Sequence, residues 1–199
     1  MDITADNICK RFGDKQVLDH FSAVMQGNGT TSIMGPSGCG KTTLLNLLMG
    51  LMSPDSGTIS GVPDAKGAVF QEDRLCETFS AVANVKMVCQ KDISRKMIEE
   101  HLSEIGLEGS LSVPVSQLSG GMRRRVAVVR AILADSDMLF LDEPFKGLDA
   151  DMKQDVIRYV KAHTAGRTVV LVTHDEDEAR EMDGKIIRMD TNVPMRTEC

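Results

Sequence analysis

The 199-residue chain has no tryptophan, a single tyrosine and no apolar run near the ~20 residues that a membrane-crossing helix needs. Its first residues also lack a secretory hydrophobic stretch, so the chain reads as a soluble, cytoplasmic protein. It has no C-x-x-C pair. The five cysteines (Cys9, Cys39, Cys76, Cys89 and Cys199) are odd in number and scattered, which fits reduced thiols and neither a disulfide framework nor a cysteine zinc site. Positive charge is in deficit as well: 23 Lys and Arg against 29 Asp and Glu give a formal net charge of -6. No global basic field exists to attract nucleic acid or an anionic membrane, and nucleic acid is not an expected partner. The length suits one good-sized core with room for an inserted subdomain.

What is present is concentrated at residues 35–43. Gly35-Pro36-Ser37-Gly38-Cys39-Gly40-Lys41-Thr42-Thr43 follows the apolar, strand-like Thr31-Ser32-Ile33-Met34. It then runs into Leu44-Leu45-Asn46-Leu47-Leu48, which reads as a helix. Strand, glycine-rich turn, lysine, hydroxyl and helix is the order of a phosphate-binding loop. The glycines let successive N–H groups point inward, and the helix start adds its positive end to the same spot. Lys41 can reach the β- and γ-phosphates of a nucleoside triphosphate, and the Thr42 hydroxyl can ligate Mg²⁺.

Upstream, two short apolar runs (Ile3 to Cys9, Val17 to Met25) predict a pair of strands, with Phe12 in the turn between them. An exposed ring there could stack on a base. Downstream, residues 66–70 predict a strand that ends at Gln71. Ile93, Met97, Ile98, Leu102 and Ile105 then recur at helical spacing, with Gly106 as terminator. This predicts a helical block over about 77–107, within an inserted helical subdomain of about 76–134.

Ser119 is a good N-cap for a helix to about Ala134. Arg123, Arg124 and Arg125 then fall in its first turns, where the helix dipole disfavours positive charge. Two explanations fit: carboxylates elsewhere in the fold pair with the arginines, or the arginines help hold a polyphosphate. Residues 137–141 form an apolar strand ending in Asp142 and Glu143. Downstream of a phosphate loop, Asp142 is placed to organise Mg²⁺, and Glu143 to orient or deprotonate a water attacking the γ-phosphate. Asp149 can cap the helix from Ala150. The apolar run 168–172 predicts a strand buried on both faces, hence a parallel sheet. His174 at its tip could sense the γ-phosphate. A last strand over 185–189 precedes a polar tail, 190–199.

These pieces resemble the nucleotide-binding domain of ABC transporters over residues 2–189. Leu118-Ser119-Gly120-Gly121-Met122 is similar to the family signature L-S-G-G-Q. Around it, in the family's order, fall Phe12, the phosphate loop, Gln71, Asp142-Glu143, Gly147-Leu148-Asp149 and His174. The resemblance implies an α/β P-loop NTPase: a mostly parallel core sheet, an N-terminal antiparallel β subdomain and the inserted helical subdomain, all in one domain over 1–199. It implies an ATPase, with ATP and Mg²⁺ bound between two copies. Ser119 and Gly121 of one copy would complete the site around Lys41 of the other, and Gly120 and Asp149 would count among the nucleotide-binding residues. Phe12 would stack on adenine, Thr42, Gln71 and Asp142 would contact Mg²⁺, Glu143 would be general base and His174 would hold the γ-phosphate.

The implied partners are a second copy or a homologous domain, a separate integral membrane subunit docking near Gln71, and a substrate-binding protein. The implied location is peripheral, on the inner face of the cell membrane. Met122 departs from the signature because it cannot hydrogen-bond as glutamine does. Residues 70–75 look like importers of the nitrate, sulfonate and taurine type. A soluble signature-type ATPase acting on nucleic acid or ribosomes is the alternative, and it would call for a coiled-coil insertion, a tandem domain or a basic surface. None of these is visible in the sequence.

Overall fold

The structure is a computed structural model that describes residues 1–189; the expected polar tail, 190–199, lies outside the described residues. Strands β1 (Ile3–Phe12) and β2 (Lys15–Met25) pair antiparallel through a tight turn at Gly13 and Asp14. Phe12 is therefore the last residue of β1, opposite Lys15, and not in the turn as the sequence suggested. Both strands run further than their apolar runs because main-chain pairing continues where the side chains face solvent. Bulges in β1, with Asn7 in the left-handed region (φ 50°), reset the alternation midway.

Strand β3 (Thr30–Met34) leads through the glycine loop into α1 (Lys41–Leu48), and β4 (Ser56–Ser60) returns to pair with β1. Next come β5 (Lys66–Val69), α2 (Ala81–Lys86), α3 (Arg95–Glu104), α4 (Gly120–Leu133) and β6 (Met138–Asp142). The chain then forms α5 (Ala150–His163), β7 (Thr168–Thr173), α6 (Glu176–Glu181) and β8 (Lys185–Arg188). Two sheets result: an antiparallel one ordered β2-β1-β4 and a parallel one ordered β5-β6-β7-β3-β8.

Strands β6 and β7 are buried along their whole length. Alternation along them divides the core in two. Leu139, Leu141, Val169 and Leu171 face the side covered by α4 and α5, together with α2 and α3. Met138, Phe140, Val170 and Val172 face α1 and the inner residues of the antiparallel sheet, among them Ile3, Ile8 and Met25. A strand sandwiched in this way must be apolar on both faces, which is why neither reads as amphipathic.

The helical block expected over 77–107 consists of two helices with a gap between them. α2 ends at Lys86 and α3 starts only at Arg95, each capped by a serine: Ser80 accepts from the Ala83 N–H and Ser94 from the Met97 N–H. A new N-cap inside the segment stops one helix and starts another, and apolar spacing alone does not report it. The α3 terminus does follow the sequence signal. Gly106, at φ 70°, lets its own N–H reach the Ser103 carbonyl while the Leu107 N–H reaches Leu102.

Candidate functional site

Strands β5, β6, β7 and β3 are successive neighbours and all parallel, so their carboxyl ends share one edge of the sheet. Gln71, Asp142 with Glu143, His174 and the 35–40 loop all leave that edge. It is the edge where ligands of open α/β sheets bind.

The loop needs its glycines for separate reasons. Gly38 has φ 82° with open space where a Cβ would stand, on the side that faces the groove. Gly40 has φ 102° and caps α1, and a Cβ there would press on Val17 and Leu18 of β2 at 3.0 Å. The Lys41 ammonium is folded back onto its own loop, donating to the Gly35 carbonyl at 2.6 Å and the Pro36 carbonyl at 2.9 Å. The Cys39 side chain is 8% exposed and packs behind Gly35, where a Cβ on Gly35 would meet its sulfur.

Two adjoining cavities lie over this loop. One, of about 360 Å³, is lined by Phe12, Lys15, Val17, Gly38 and residues 40–43. The other, of about 220 Å³, lies among Ser37, Gly38, Lys41, Thr42, Gln71, Asp142, Glu143, Lys146 and His174. They share Gly38, Lys41 and Thr42, so together they form one groove with an aromatic ring at one end and carboxylates at the other. Phe12 is 50% exposed, with the Lys10 ammonium 5.8 Å from its ring centroid. Lys15, Val17 and Lys146 line the groove without having been singled out from the sequence. Nothing about a turn lysine or a loop lysine marks it until the fold brings it there.

At the far end the Thr42 hydroxyl donates to Asp142 Oδ2 at 3.0 Å. Burial raises the Asp142 pKa, the Thr42 hydrogen bond opposes this, and the neighbouring Glu143 charge adds to the rise. Glu143 sits at φ 50°, a strained conformation for a side chain of this size, while its N–H donates across to the Val172 carbonyl. Its carboxylate, with the side chain 14% exposed, meets His174 Nδ1 at 2.8 and 2.9 Å through its two oxygens. An ionised carboxylate only accepts, so that nitrogen carries the proton.

Ser119 caps α4 by accepting from the Met122 N–H at 3.3 Å. Ser119 and Gly120 are exposed. Gly121 lies against Gly147 and Leu148, and Asp149 caps α5 from the same loop. Neither Ser119, Gly120, Gly121 nor Asp149 lines the two cavities. Met122 packs its thioether against the core on the α4 side.

Pairing with the fold accounts for the three arginines, and carboxylates take only part of it. Arg123 reaches Glu77 at 3.1 Å and Asp73 at 3.8 Å. Arg124 donates to the Phe70 and Gln71 carbonyls, both at 2.6 Å, with Asp73 at 3.3 Å. Arg125 donates to the Ile105 and Gly106 carbonyls at the end of α3, where positive charge is favourable. Further along α4, Arg130 spans the Asp73 and Arg74 carbonyls. The segment that carries Gln71 is thus clamped along α4, whose first residues are the serine–glycine signature.

Arg124→Ala is expected to lower stability by about 2 kcal/mol, because two charge-assisted hydrogen bonds from a buried guanidinium to part-buried carbonyls go at once. Arg124→Lys should not restore it, since an ammonium lacks the fork that spans both carbonyls. Urea unfolding of the three proteins measures this. A loss below about 0.5 kcal/mol, the range of ordinary surface changes, would show that the segment is held by something else.

Comparison with known proteins gives the family. The family model described as "ABC transporter" matches residues 18–146. An aliphatic sulfonates import ATP-binding protein, SsuB 2 of Pseudomonas syringae pv. tomato, is 35% identical over 191 residues, covering 95% of this chain and 82% of that protein. The spermidine/putrescine import ATP-binding protein PotA of Acetivibrio thermocellus is 33% identical over 208 residues; the match takes in 96% of this chain but spans only 59% of that relative's length. Among solved structures, the dimeric post-hydrolysis state of the ATP-binding cassette MJ0796, bound to ADP and Pi, superposes with a TM-score of 0.83. It is 28% identical, over 95% of this chain and 94% of that one.

Proposed function

This chain belongs to the ABC transporter family and is an ATP-binding, ATP-hydrolysing cassette of the importer type, and from that premise we propose that it powers transport through a separate membrane subunit. The observation that carries the site assignment is the single groove running from the exposed Phe12 ring to the His174-held carboxylate of Glu143. Its lining, an aromatic ring at one end and glycines, Lys41 and carboxylates at the other, suits a nucleoside triphosphate. The base stacks on Phe12, the phosphates lie along residues 35–43, and the γ-phosphate sits among Lys41, Gln71 and His174. Lys41 then exchanges its loop carbonyls for phosphate oxygens.

The residues fit Mg²⁺. The Thr42 hydroxyl and the Asp142 carboxylate are hard oxygen donors 3.0 Å apart, and Gln71 lines the same cavity. Burial resists ionisation of Asp142, and a bound cation offsets that cost. When present, the ion neutralises charge on the β- and γ-phosphates. Glu143 orients the attacking water and takes its proton as the new P–O bond forms and the bond to the bridging β–γ oxygen breaks. His174 fixes the carboxylate while it does so.

Ser119, Gly120, Gly121 and Asp149 lie outside the groove, and they meet a nucleotide only across a dimer, as the second half of another copy's site. The dimeric ADP- and Pi-bound relative supports that reading. Among the described residues no helix is long and apolar enough to cross a membrane. We therefore assign the path to an integral membrane subunit docking near Gln71 on the cytoplasmic face, with a substrate-binding protein completing an import system. The sulfonate-importer relative supports the import direction.

The test is to solubilise native membranes, capture this chain, identify its integral membrane partner, and reconstitute the pair in vesicles. Phosphate release coupled to solute uptake is the expected result. ATPase activity stimulated instead by DNA, RNA or ribosomes, with no membrane partner, would favour the soluble alternative.

A further inference from the structure

Outside the nucleotide groove, α3 and α5 bring two imidazoles and a carboxylate together. His101 and Glu104 stand three residues apart on α3, hence on one face of that helix, and His163 closes α5. His163 Nε2 lies 2.9 and 3.1 Å from the two Glu104 oxygens. The His101 and His163 rings are 4.6 Å apart between centroids. One ligand atom from each of the three residues lies within 4.8 Å of the others. His101 Nδ1 is engaged by the Tyr159 hydroxyl at 2.8 Å, and Tyr159 is 2% exposed.

The ordinary reading is a surface ion pair between His163 and Glu104, worth little by itself. That pair leaves the second imidazole unexplained. His101 is tied at Nδ1 by a buried phenol, which leaves Nε2 as its uncommitted ring nitrogen. A metal-binding histidine is held in the same way, by a hydrogen bond at its other nitrogen. We propose that His101, Glu104 and His163 form a site for a divalent transition metal of the Zn²⁺ class: two imidazole nitrogens, one carboxylate oxygen and a water. Ligand–metal distances of about 2.0–2.2 Å put tetrahedral ligand atoms ~3.4 Å apart. Rotations of the half-buried and exposed side chains at two helix ends supply the remaining closure. The ion would staple α3 to α5, tying the helical block between β5 and β6 to the layer that supports the parallel sheet.

The experiment titrates Zn²⁺ into the nucleotide-free protein in a non-chelating buffer, by calorimetry and by thermal unfolding. One ion per chain and a rise in Tm that a chelator reverses are expected. Co²⁺ should give the visible absorption of a four-coordinate nitrogen and oxygen site. His101→Ala and His163→Ala should each weaken binding at least about tenfold, as should Glu104→Gln at an exposed position where folding is not at stake. Tyr159→Phe keeps the buried ring and removes only the orienting hydroxyl, so it should weaken binding by about tenfold or more. The one other group of His, Cys, Asp or Glu close enough to hold an ion among the described residues is Cys9, Asp19 and His20. Cys9→Ser should leave the affinity unchanged. Zn²⁺ binding that survives the double variant His101→Ala/His163→Ala, that disappears in Cys9→Ser, or that fails to saturate below about 1 mM would overturn the site.

Discussion

Glu143→Gln is expected to lower the ATPase rate about 10²–10³-fold while leaving ATP affinity unchanged, so that an ATP-bound dimer accumulates. The amide has nearly the volume of the carboxylate, and its oxygen can still accept from His174 Nδ1. The largely buried position and the strained φ of 50° are therefore kept. Only the capacity to take a proton from water is lost. Binding rests chiefly on Phe12 and residues 35–43, and the amide keeps the contact to His174, the one γ-phosphate neighbour bonded to the substituted group, so kcat should fall without a matching change in KM. Phosphate release reads the first part, and gel filtration with ATP and Mg²⁺ the second. A variant that hydrolyses ATP at the parent rate would remove Glu143 from the role of base. His174→Ala is the companion test. It frees the carboxylate to turn away and should cost activity by a smaller factor than removing the carboxylate itself.

Much of this was legible in the sequence, and physics separates what was from what was not. The parallel strands were visible because a strand buried on both faces has to be apolar throughout, as in 138–141 and 168–172. The order of residues 35–43 was visible because a phosphate cradle constrains neighbours in the chain. The α3 terminus was visible because a Schellman turn calls for a glycine just past the helical spacing, and Gly106 directly follows Ile105. The gap between α2 and α3 was not, since Ser80 and Ser94 act by single hydrogen bonds that leave the apolar spacing unchanged.

The role of the three arginines was half legible. Their unfavourable place in the first turns of α4 demanded outside partners, and local energetics could say no more. Arg123 takes carboxylates, but the partners of Arg124 and Arg125 are mostly carbonyls of residues 70–71 and 105–106, and a main-chain carbonyl carries no sequence signature. Lys15, Val17 and Lys146 were invisible for the same reason: groove lining is decided by the crossing of distant segments. The Glu104–His163 pair is likewise 59 residues apart.

One large effect separates a nucleotide site complete within one chain from a shared one. Lys41→Ala and Ser119→Arg should each nearly abolish hydrolysis alone, for different reasons. The first removes the ammonium that meets the phosphates. The second places a bulky cation at an exposed α4 cap, where the nucleotide of a second copy would have to dock, and leaves the groove of its own chain untouched. Ser119→Arg should therefore still bind ATP as a monomer, whereas Lys41→Ala should not.

Mixing the two inactive proteins decides the matter. In a mixed dimer one interface carries both defects, while the other pairs an intact loop with an intact signature. Random pairing of equal amounts makes half the dimers mixed, each with one sound site, so activity should return to at most about a quarter of the parent rate. No recovery at any ratio, with mixed dimers demonstrated by affinity tags, would mean either that Ser119 acts within its own chain or that both sites must be sound for either to turn over. A third protein carrying both substitutions in one chain, mixed with the parent, separates these. Its mixed dimers have one defect in each site, so they should be silent under a shared site. If Ser119 served its own chain, the parent half would keep working.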